Sequence, residues 1–403
     1  MTTSENSTPP AFDWRGRNVV CFSTADWDTL LPTNKHHLMR RLAARGARVL
    51  FLETLGTRAP RLASGVDLAR IGRRLGRAAK GPQKRENRLY SLSPLVRPRW
   101  ANPVDRALNR AAFLAQAGPS LRRMPDAIAW IYSPYAIYLL DQVKPAKVVY
   151  HMVDDLTAVP GADRDAMAEA ERALLRRADC VFCTERSLHA RALRENPRAL
   201  YMPNVADFAH FSEPRTMSPN DERLRRLREM DGPKLVFSGH ITPHKTDLEL
   251  LEVLARERPA WHFVLIGPVW EGAERPAALQ ALEGLPNVQF FGHVDYADLP
   301  AYLHEAGVLM IPYSDTPATR AVFPLKFFEY LATGRPVVVS PLPSLSEYAA
   351  LVPMAHAPTA WLETLERVLS EPGEGAPQRI ALACENTWDT RLLQMERALT
   401  QIS

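Results

Sequence analysis

The sequence predicts an α/β protein made of two halves, each a doubly wound parallel sheet. Short apolar runs alternate with helical stretches, as in Asn18 to Ser23, Lys35 to Arg45 and Val49 to Glu53, and that alternation builds parallel sheets covered by helices. At 403 residues the chain has room for two full domains at a typical size of about 150 residues each. A Pro-, Arg- and Glu-rich stretch between them has the composition of a linker. The expected layout is a first domain over 1–212, a linker over 213–232, a second domain over 233–375 and a helical tail over 376–403.

Composition narrows the class of function. No run approaches the roughly 18 to 20 apolar residues of a membrane span, and the polar start, Met1 to Pro10, lacks a signal-peptide core. A cytoplasmic protein is expected. Four cysteines, at 21, 180, 183 and 384, are too few for a disulfide framework; Cys180 and Cys183 fall in a predicted strand and read as buried thiols. Net charge is +5, yet residues 58–123 hold sixteen Lys or Arg against Asp67, Glu86 and Asp105, so this window alone carries +13. Such a field suits an anionic surface. Within it, Val66, Leu68, Ile71 and Leu75 alternate with Arg70, Arg73, Arg74, Arg77 and Lys80, the pattern of an interfacial amphipathic helix or of a solvated basic one. The window lacks interleaved aromatics, a helix-turn-helix pattern and zinc spacing, so nucleic acid is not the expected partner.

In the first half, the loop Thr24 to Asn34 carries Asp26, Trp27, Asp28 and Asn34. These groups can meet an acceptor molecule, or simply solvate the loop and cap the next helix. Strands follow at Ala127 to Tyr132 and Lys147 to Met152. The latter runs into Val153-Asp154-Asp155-Leu156, so His151, Asp154 and Asp155 lie at a strand end, where α/β folds keep catalytic groups. Adjacent carboxylates there can equally cap a helix. Cys180 to Thr184 is a further strand and Glu185 to Glu195 a helix.

The second half opens with a strand at Lys234 to Ser238, then Gly239-His240-Ile241-Thr242-Pro243-His244-Lys245 and a helix from Asp247 to Arg256. A glycine turn, a helix N-terminus and a lysine make a cradle for a diphosphate. The two histidines lack a third ligand, so no metal is expected. Trp261 to Gly267, Val288 to Gly292, Val308 to Pro312 and Val337 to Val339 supply four more strands. Between the last two, Pro324 starts and Gly334 ends a short helix on which Lys326 and Glu329 stand three apart, sharing one face. They are either a surface ion pair or a functional couple.

Residues 323–341, Phe-Pro-Leu-Lys-Phe-Phe-Glu-Tyr-Leu-Ala-Thr-Gly-Arg-Pro-Val-Val-Val-Ser-Pro, resemble the donor-site helix of the GT-B type nucleotide-sugar glycosyltransferases. Leu200 to Asp207 partly resembles the turn closing their N-terminal domain. Gly239 to Lys245 is similar to their Gly-Arg-x-x-x-x-Lys loop, with His240 in place of the Arg. The resemblance implies a fold of two Rossmann-like domains facing a cleft, with the 376–403 helix packing back on the first. It also implies roles. Glu329 would accept from the donor ribose hydroxyls; Gly239, His240, Lys245 and Lys326 would meet the diphosphate. Val294, in the Gly292 to Asp295 loop, would lie at the base, with Tyr313, Pro324 and Leu325 along the same edge. The larger retaining branch has another Glu eight residues before Glu329, where this chain has Ala321.

The implied activity is transfer of a sugar from a nucleotide diphosphate sugar to a hydroxyl of a glycan or lipid-linked acceptor, without cofactor or metal. Asp154, Asp155 and His151 are the catalytic candidates, one Asp acting as general base with inversion. Asp26, Asp28 and Asn34 are the acceptor candidates. A nucleotide-sugar epimerase and a non-catalytic nucleotide-sugar-binding protein are the alternatives. Lipid-linked acceptors and the +13 window together imply peripheral attachment to the inner face of the cell membrane.

Overall fold

A computed structural model describes residues 12–56, 72, 76–159, 161–214, 221–272 and 275–402. Most of the predicted amphipathic helix, Arg70, Arg73 and Arg74 included, lies outside these residues. The chain groups into two compact units, one of residues 1–29, 33–203 and 389–403, the other of 30–32 and 204–388.

The first unit holds an eight-stranded sheet. Its strands are β1 (Asn18–Phe22), β2 (Arg48–Leu52), β3 (Gln83–Glu86), β4 (Leu89–Leu92), β5 (Ile128–Ile131), β6 (Lys147–Met152), β7 (Cys180–Cys183) and β8 (Ala199–Tyr201), in the order β3-β4-β2-β1-β5-β6-β7-β8. All neighbours pair in parallel except the antiparallel β3–β4 hairpin. The central strands are buried on both faces, so they read as continuous apolar runs such as Val19-Val20-Cys21-Phe22. Strand order reverses between β1 and β5, which opens a crevice at their C-terminal ends. Helix α1 (Asn34–Ala44) starts at that edge behind the N-cap Thr33. Helix α2 (Pro103–Leu121) starts with the Asn102 side chain accepting from the backbone N–H of Val104 at 2.8 Å.

The second unit holds five parallel strands: β9 (Lys234–Ser238), β10 (His262–Ile266), β11 (Val288–Gly292), β12 (Val308–Ile311) and β13 (Val337–Val339), in the order β11-β10-β9-β12-β13. The reversal falls between β9 and β12. Helix α3 (Glu222–Glu229) seats Leu224 and Leu227 in this unit's core. The chain therefore changes unit at Pro203–Asn204, earlier than the stretch 213–232 suggested. Its charges mislead because α3 is amphipathic, with two leucines inward and Arg225 and Arg228 exposed. Helix α4 (Leu248–Glu257) and helix α5 (Lys326–Ala332) flank the reversal. The last helix, α6 (Trp388–Gln401), places Leu392, Met395 and Leu399 in the first unit's core. There Glu396 accepts from Trp14 Nε1 and from Arg45 Nη1, both at 2.6 Å.

Candidate functional site

In the second unit the functional groups gather at the reversal point, on loops stapled by backbone hydrogen bonds. Gly239 N–H donates to the Ile266 carbonyl, Gly267 N–H to Gly292 and Ser314 N–H to Lys245, over 2.7 to 3.0 Å. Helix α5 buries Phe327, Phe328, Tyr330 and Leu331 completely, and each of the three apolar side chains contributes roughly 2 kcal/mol to holding the helix in place. Tyr330 adds a polar anchor, its hydroxyl accepting from Ser238 N–H at 2.7 Å. The opposite face of α5 carries Lys326 and Glu329, both half-buried.

Lys326 is the centre of the cluster. Its Nζ donates to the Tyr313 hydroxyl at 3.1 Å and lies 4.2 Å from the centroid of the Phe237 ring. Gly239, at φ +147, lies directly beneath it, and a Cβ there would run into the ammonium, while one on Gly267 (φ +131) would run into the Gly239 carbonyl. Both glycines serve close approach. The Lys245 ammonium lies 5.1 Å from the centroid of the Tyr313 ring. Burial alone would raise the Tyr313 phenol, but Lys245 and Lys326 outweigh it and hold it below its ordinary range. Burial pushes Lys326 down, with the Tyr313 phenol opposing. Two ammonium groups thus converge on one phenol, an arrangement suited to an anion.

Glu329, on the turn of α5 after Lys326, is lifted by burial to about 7; Lys326 draws it back and Asp207 pushes it further up. The carboxylate carries no hydrogen bond among the described residues, so its lone pairs are open to donors. His240 is exposed, its carbonyl accepting from Thr246 Oγ1 at 3.3 Å. The helix contribution to the cradle is smaller than the sequence suggested. Asp247 caps α4, accepting from Leu250 N–H at 2.9 Å, and its charge already answers the positive end of the helix. Val294 turns its side chain into the core, and beside it Arg223 Nη1 holds the carbonyls of Phe291 and His293 at 3.0 and 2.8 Å. Pro324 is buried and Leu325 half-buried just before α5. Ala321 is buried.

In the first unit, the structure separates the catalytic candidates. Asp155 caps a short turn, accepting from the Thr157 N–H at 3.1 Å and from its hydroxyl at 2.6 Å, and pairs with Arg191 at 3.0 Å. Burial would raise it, but Arg191 and Thr157 outweigh that and keep it ionised and engaged. His151 is 1% exposed, bonded through Nδ1 to the Tyr132 hydroxyl at 3.1 Å, and burial drives it down to about 3. It is neutral and enclosed, the reverse of what a proton-exchanging histidine at the surface requires. Asp154 stays half-buried.

The sequence reading passed over Lys35. It is buried at 4%, at the first turn of α1 and the reversal between β1 and β5, with its Nζ 3.3 Å from Asn34 Oδ1 and 5.1 Å from the Tyr132 ring centroid. Burial pushes its ammonium down and the charge of Asp154 supports it. Its signal was position: a lysine opening the helix that follows the first strand. Asn34 itself is not the cap, which is Thr33. The other acceptor candidates are held in ion pairs, Asp26 with Arg77 at 2.6 Å and Asp28 with Arg85 at 2.8 Å. Both arginines also flank the buried Glu53, at 3.6 and 3.9 Å, so Arg77, counted among the outward cations of the basic window, faces its own protein. Cys180 and Cys183 are buried thiols, each pushed up to about 12 by burial.

Comparison with known proteins bears on both units. Residues 232–371 match the family model of glycosyl transferases group 1. The putative teichuronic acid biosynthesis glycosyltransferase TuaH of Bacillus subtilis (strain 168) is 31% identical over 219 residues, covering 52% of this chain and 53% of that protein. The chain thus matches about half the length of that curated relative. Among solved structures, sucrose-phosphate synthase from Thermosynechococcus elongatus superposes with a TM-score of 0.70 at 17% identity, over 96% of this chain and 99% of that one. HepE of Anabaena, in complex with UDP-glucose, gives 0.67 at 13% identity over 95% and 99%. These likenesses show a shared fold.

Proposed function

We propose that this chain, whose residues 232–371 form a group 1 glycosyl transferase domain within a GT-B fold, moves a sugar from a nucleoside diphosphate sugar to a hydroxyl acceptor. One observation carries the reading: Lys326, pressed against the Cβ-less backbone of Gly239, and Lys245 flank a single phenol one helical turn from the open carboxylate of Glu329. Two cations offset the charge of a diphosphate, and a carboxylate accepts from vicinal hydroxyls of a ribose. As the anomeric bond breaks, charge grows on the departing diphosphate, and fixed ammonium groups stabilise it more than they stabilise the intact donor.

The acceptor side belongs to the first unit. Asp154 is the general base there, because Asp155 is engaged by Arg191 and His151 is enclosed. The charge of Asp154 supports the buried Lys35 ammonium beside it, and Asp154 takes the acceptor proton. Transfer with inversion follows, consistent with Ala321 at the place of a second donor-site carboxylate. The relative TuaH is named for teichuronic acid biosynthesis, which favours a glycan or lipid-linked acceptor. The +13 window over 58–123 favours an anionic membrane as the place of work. Among the described residues no helix is long and apolar enough to cross a membrane.

A thermal-shift panel of nucleoside diphosphates and their sugars tests the donor reading, since bound ligand stabilises in proportion to occupancy. At a hundredfold excess over Kd the gain is about 2.7 kcal/mol. Stabilisation by one base and its diphosphate sugar, lost in Lys326→Met, is expected. No response to any diphosphate would refute it.

A further inference from the structure

Helix α2 (Pro103–Leu121) is amphipathic in the unusual sense: its inward face is largely polar and its outward face is apolar. Inward, Asp105 takes Arg97 at 2.8 Å. Asn109 clamps the backbone of Arg97 through both N–H and carbonyl, at 2.7 and 2.9 Å, and Gln116 does the same to Leu95 at 2.8 and 3.2 Å. Phe113 and Ala117 complete the buried side. Outward stand Val104, Ala107, Leu108, Ala111, Leu114 and Ala115, all exposed. At 100° per residue these six fall within a sector of about 120°. Val104 is 68% exposed, Leu108 48% and Leu114 46%. The stripe runs from Val104 to Ala115, roughly 18 Å at about 1.5 Å per residue, and is more than scattered surface hydrophobicity.

Charge identifies what covers it. Exposed Arg99 precedes the helix, exposed Arg110 lies on its flank, and exposed Arg122 and Arg123 follow it, while the charge of Arg97 is matched by Asp105. The one acid of the segment, Asp105, is buried. We infer that α2 is the docking face of this protein for an anionic lipid surface, lying in the interface plane with its apolar stripe among the acyl chains and its arginines at the headgroups. This rests on the anionic-membrane part of the proposed function and is independent of the transfer reaction. It also relocates the contact, from the 66–80 stretch to a helix whose polar side is fully occupied by its own unit. A basic surface without apolar insertion would bind less tightly and yield entirely to salt; the stripe supplies the salt-resistant share.

The test is co-sedimentation of the full chain with vesicles of 30% phosphatidylglycerol in phosphatidylcholine, against vesicles of phosphatidylcholine alone. The wild type is expected to bind the anionic vesicles and to keep part of that binding at 0.5 M salt. Leu108→Glu with Leu114→Glu, both at exposed positions, is expected to lower partitioning at least tenfold. Arg99, Arg122 and Arg123 changed together to Gln should lower it and flatten its salt dependence. An unchanged melting temperature and an unchanged thermal shift with nucleoside diphosphate keep the folded state and the donor reading separate from the result. Equal partitioning of the double-Glu variant and wild type would overturn the inference. So would a dimer in sedimentation equilibrium that the double-Glu variant abolishes with no wild-type vesicle binding, since the stripe would then belong to a second copy of the chain.

Discussion

Replacing Glu329 by Gln should make the protein more stable and less able to bind its ligand, and the stabilisation should appear only as pH rises. Burial lifts this carboxyl from its ordinary 4.5 to about 7. A raised carboxyl favours folding where it is protonated, so its contribution is complete below pH 4.5 and is lost as pH rises through about 7. That loss amounts to about 3 kcal/mol, reduced to about 2 kcal/mol because Glu329 keeps some contact with solvent. Glutamine has the same shape and cannot ionise. Glu329→Gln should therefore leave stability near wild type at pH 4.5 and raise it by about 2 kcal/mol at pH 8, roughly 4 to 8 °C for a unit of this size. Thermal melts followed by circular dichroism from pH 4.5 to 8 read the difference directly. In the same variant the stabilisation by nucleoside diphosphate should shrink, because a carboxamide offers one acceptor where the carboxylate offers two. An increment that is the same at both ends of the pH range, or a net loss at pH 8, would refute the reasoning. A carboxylate kept destabilised in the free protein is what a site awaiting donors costs.

Other expectations follow from the same geometry. Lys326→Met should weaken nucleoside diphosphate binding ten- to a hundredfold while leaving uncharged nucleoside binding within twofold; calorimetry separates the two, and an equal loss for both would show that the lysine does not meet phosphate. The same change should raise the Tyr313 phenol, visible as a later rise in phenolate absorbance on alkaline titration. Gly239→Ala should displace the Lys326 ammonium and reproduce most of the Lys326→Met deficit, because both the φ of +147 and the contact exclude a Cβ; retained affinity would show that the loop has slack. Asp154→Ala should lower kcat by at least about a hundredfold with nucleotide affinity unchanged, whereas Asp155→Asn should lower the melting temperature through loss of the Arg191 pair. Full turnover in Asp154→Ala would remove it from the proton transfer.

Much of the architecture was readable from the chain alone. Strands β6, β9, β11 and β13 fall on their expected residues, and for β6, β9 and β13 the reason is that strands buried on both faces are bounded apolar runs. The Pro324 to Gly334 helix was equally plain, and residues three apart on a helix are neighbours whatever the rest of the fold does. Less was visible where local pattern and environment disagree. The β3–β4 hairpin is short and charged, at Gln83-Lys84-Arg85-Glu86, with no apolar alternation to mark it. Helix α2 has its polar residues inside, which inverts the pattern that periodicity looks for.

The sequence by itself determined the strand and helix alternation, the glycine turn at 239 and the pairing of Lys326 with Glu329 on one short helix, since all of these depend on neighbours within a few residues. Tertiary structure decided which charges are available. It engaged Asp155 with Arg191, Asp28 with Arg85 and Asp26 with Arg77, enclosed His151, and left Lys35 beside Asp154 and two lysines around Tyr313. Those outcomes hang on contacts between residues far apart in the chain and on how much water each group keeps, and neither is written in any local stretch.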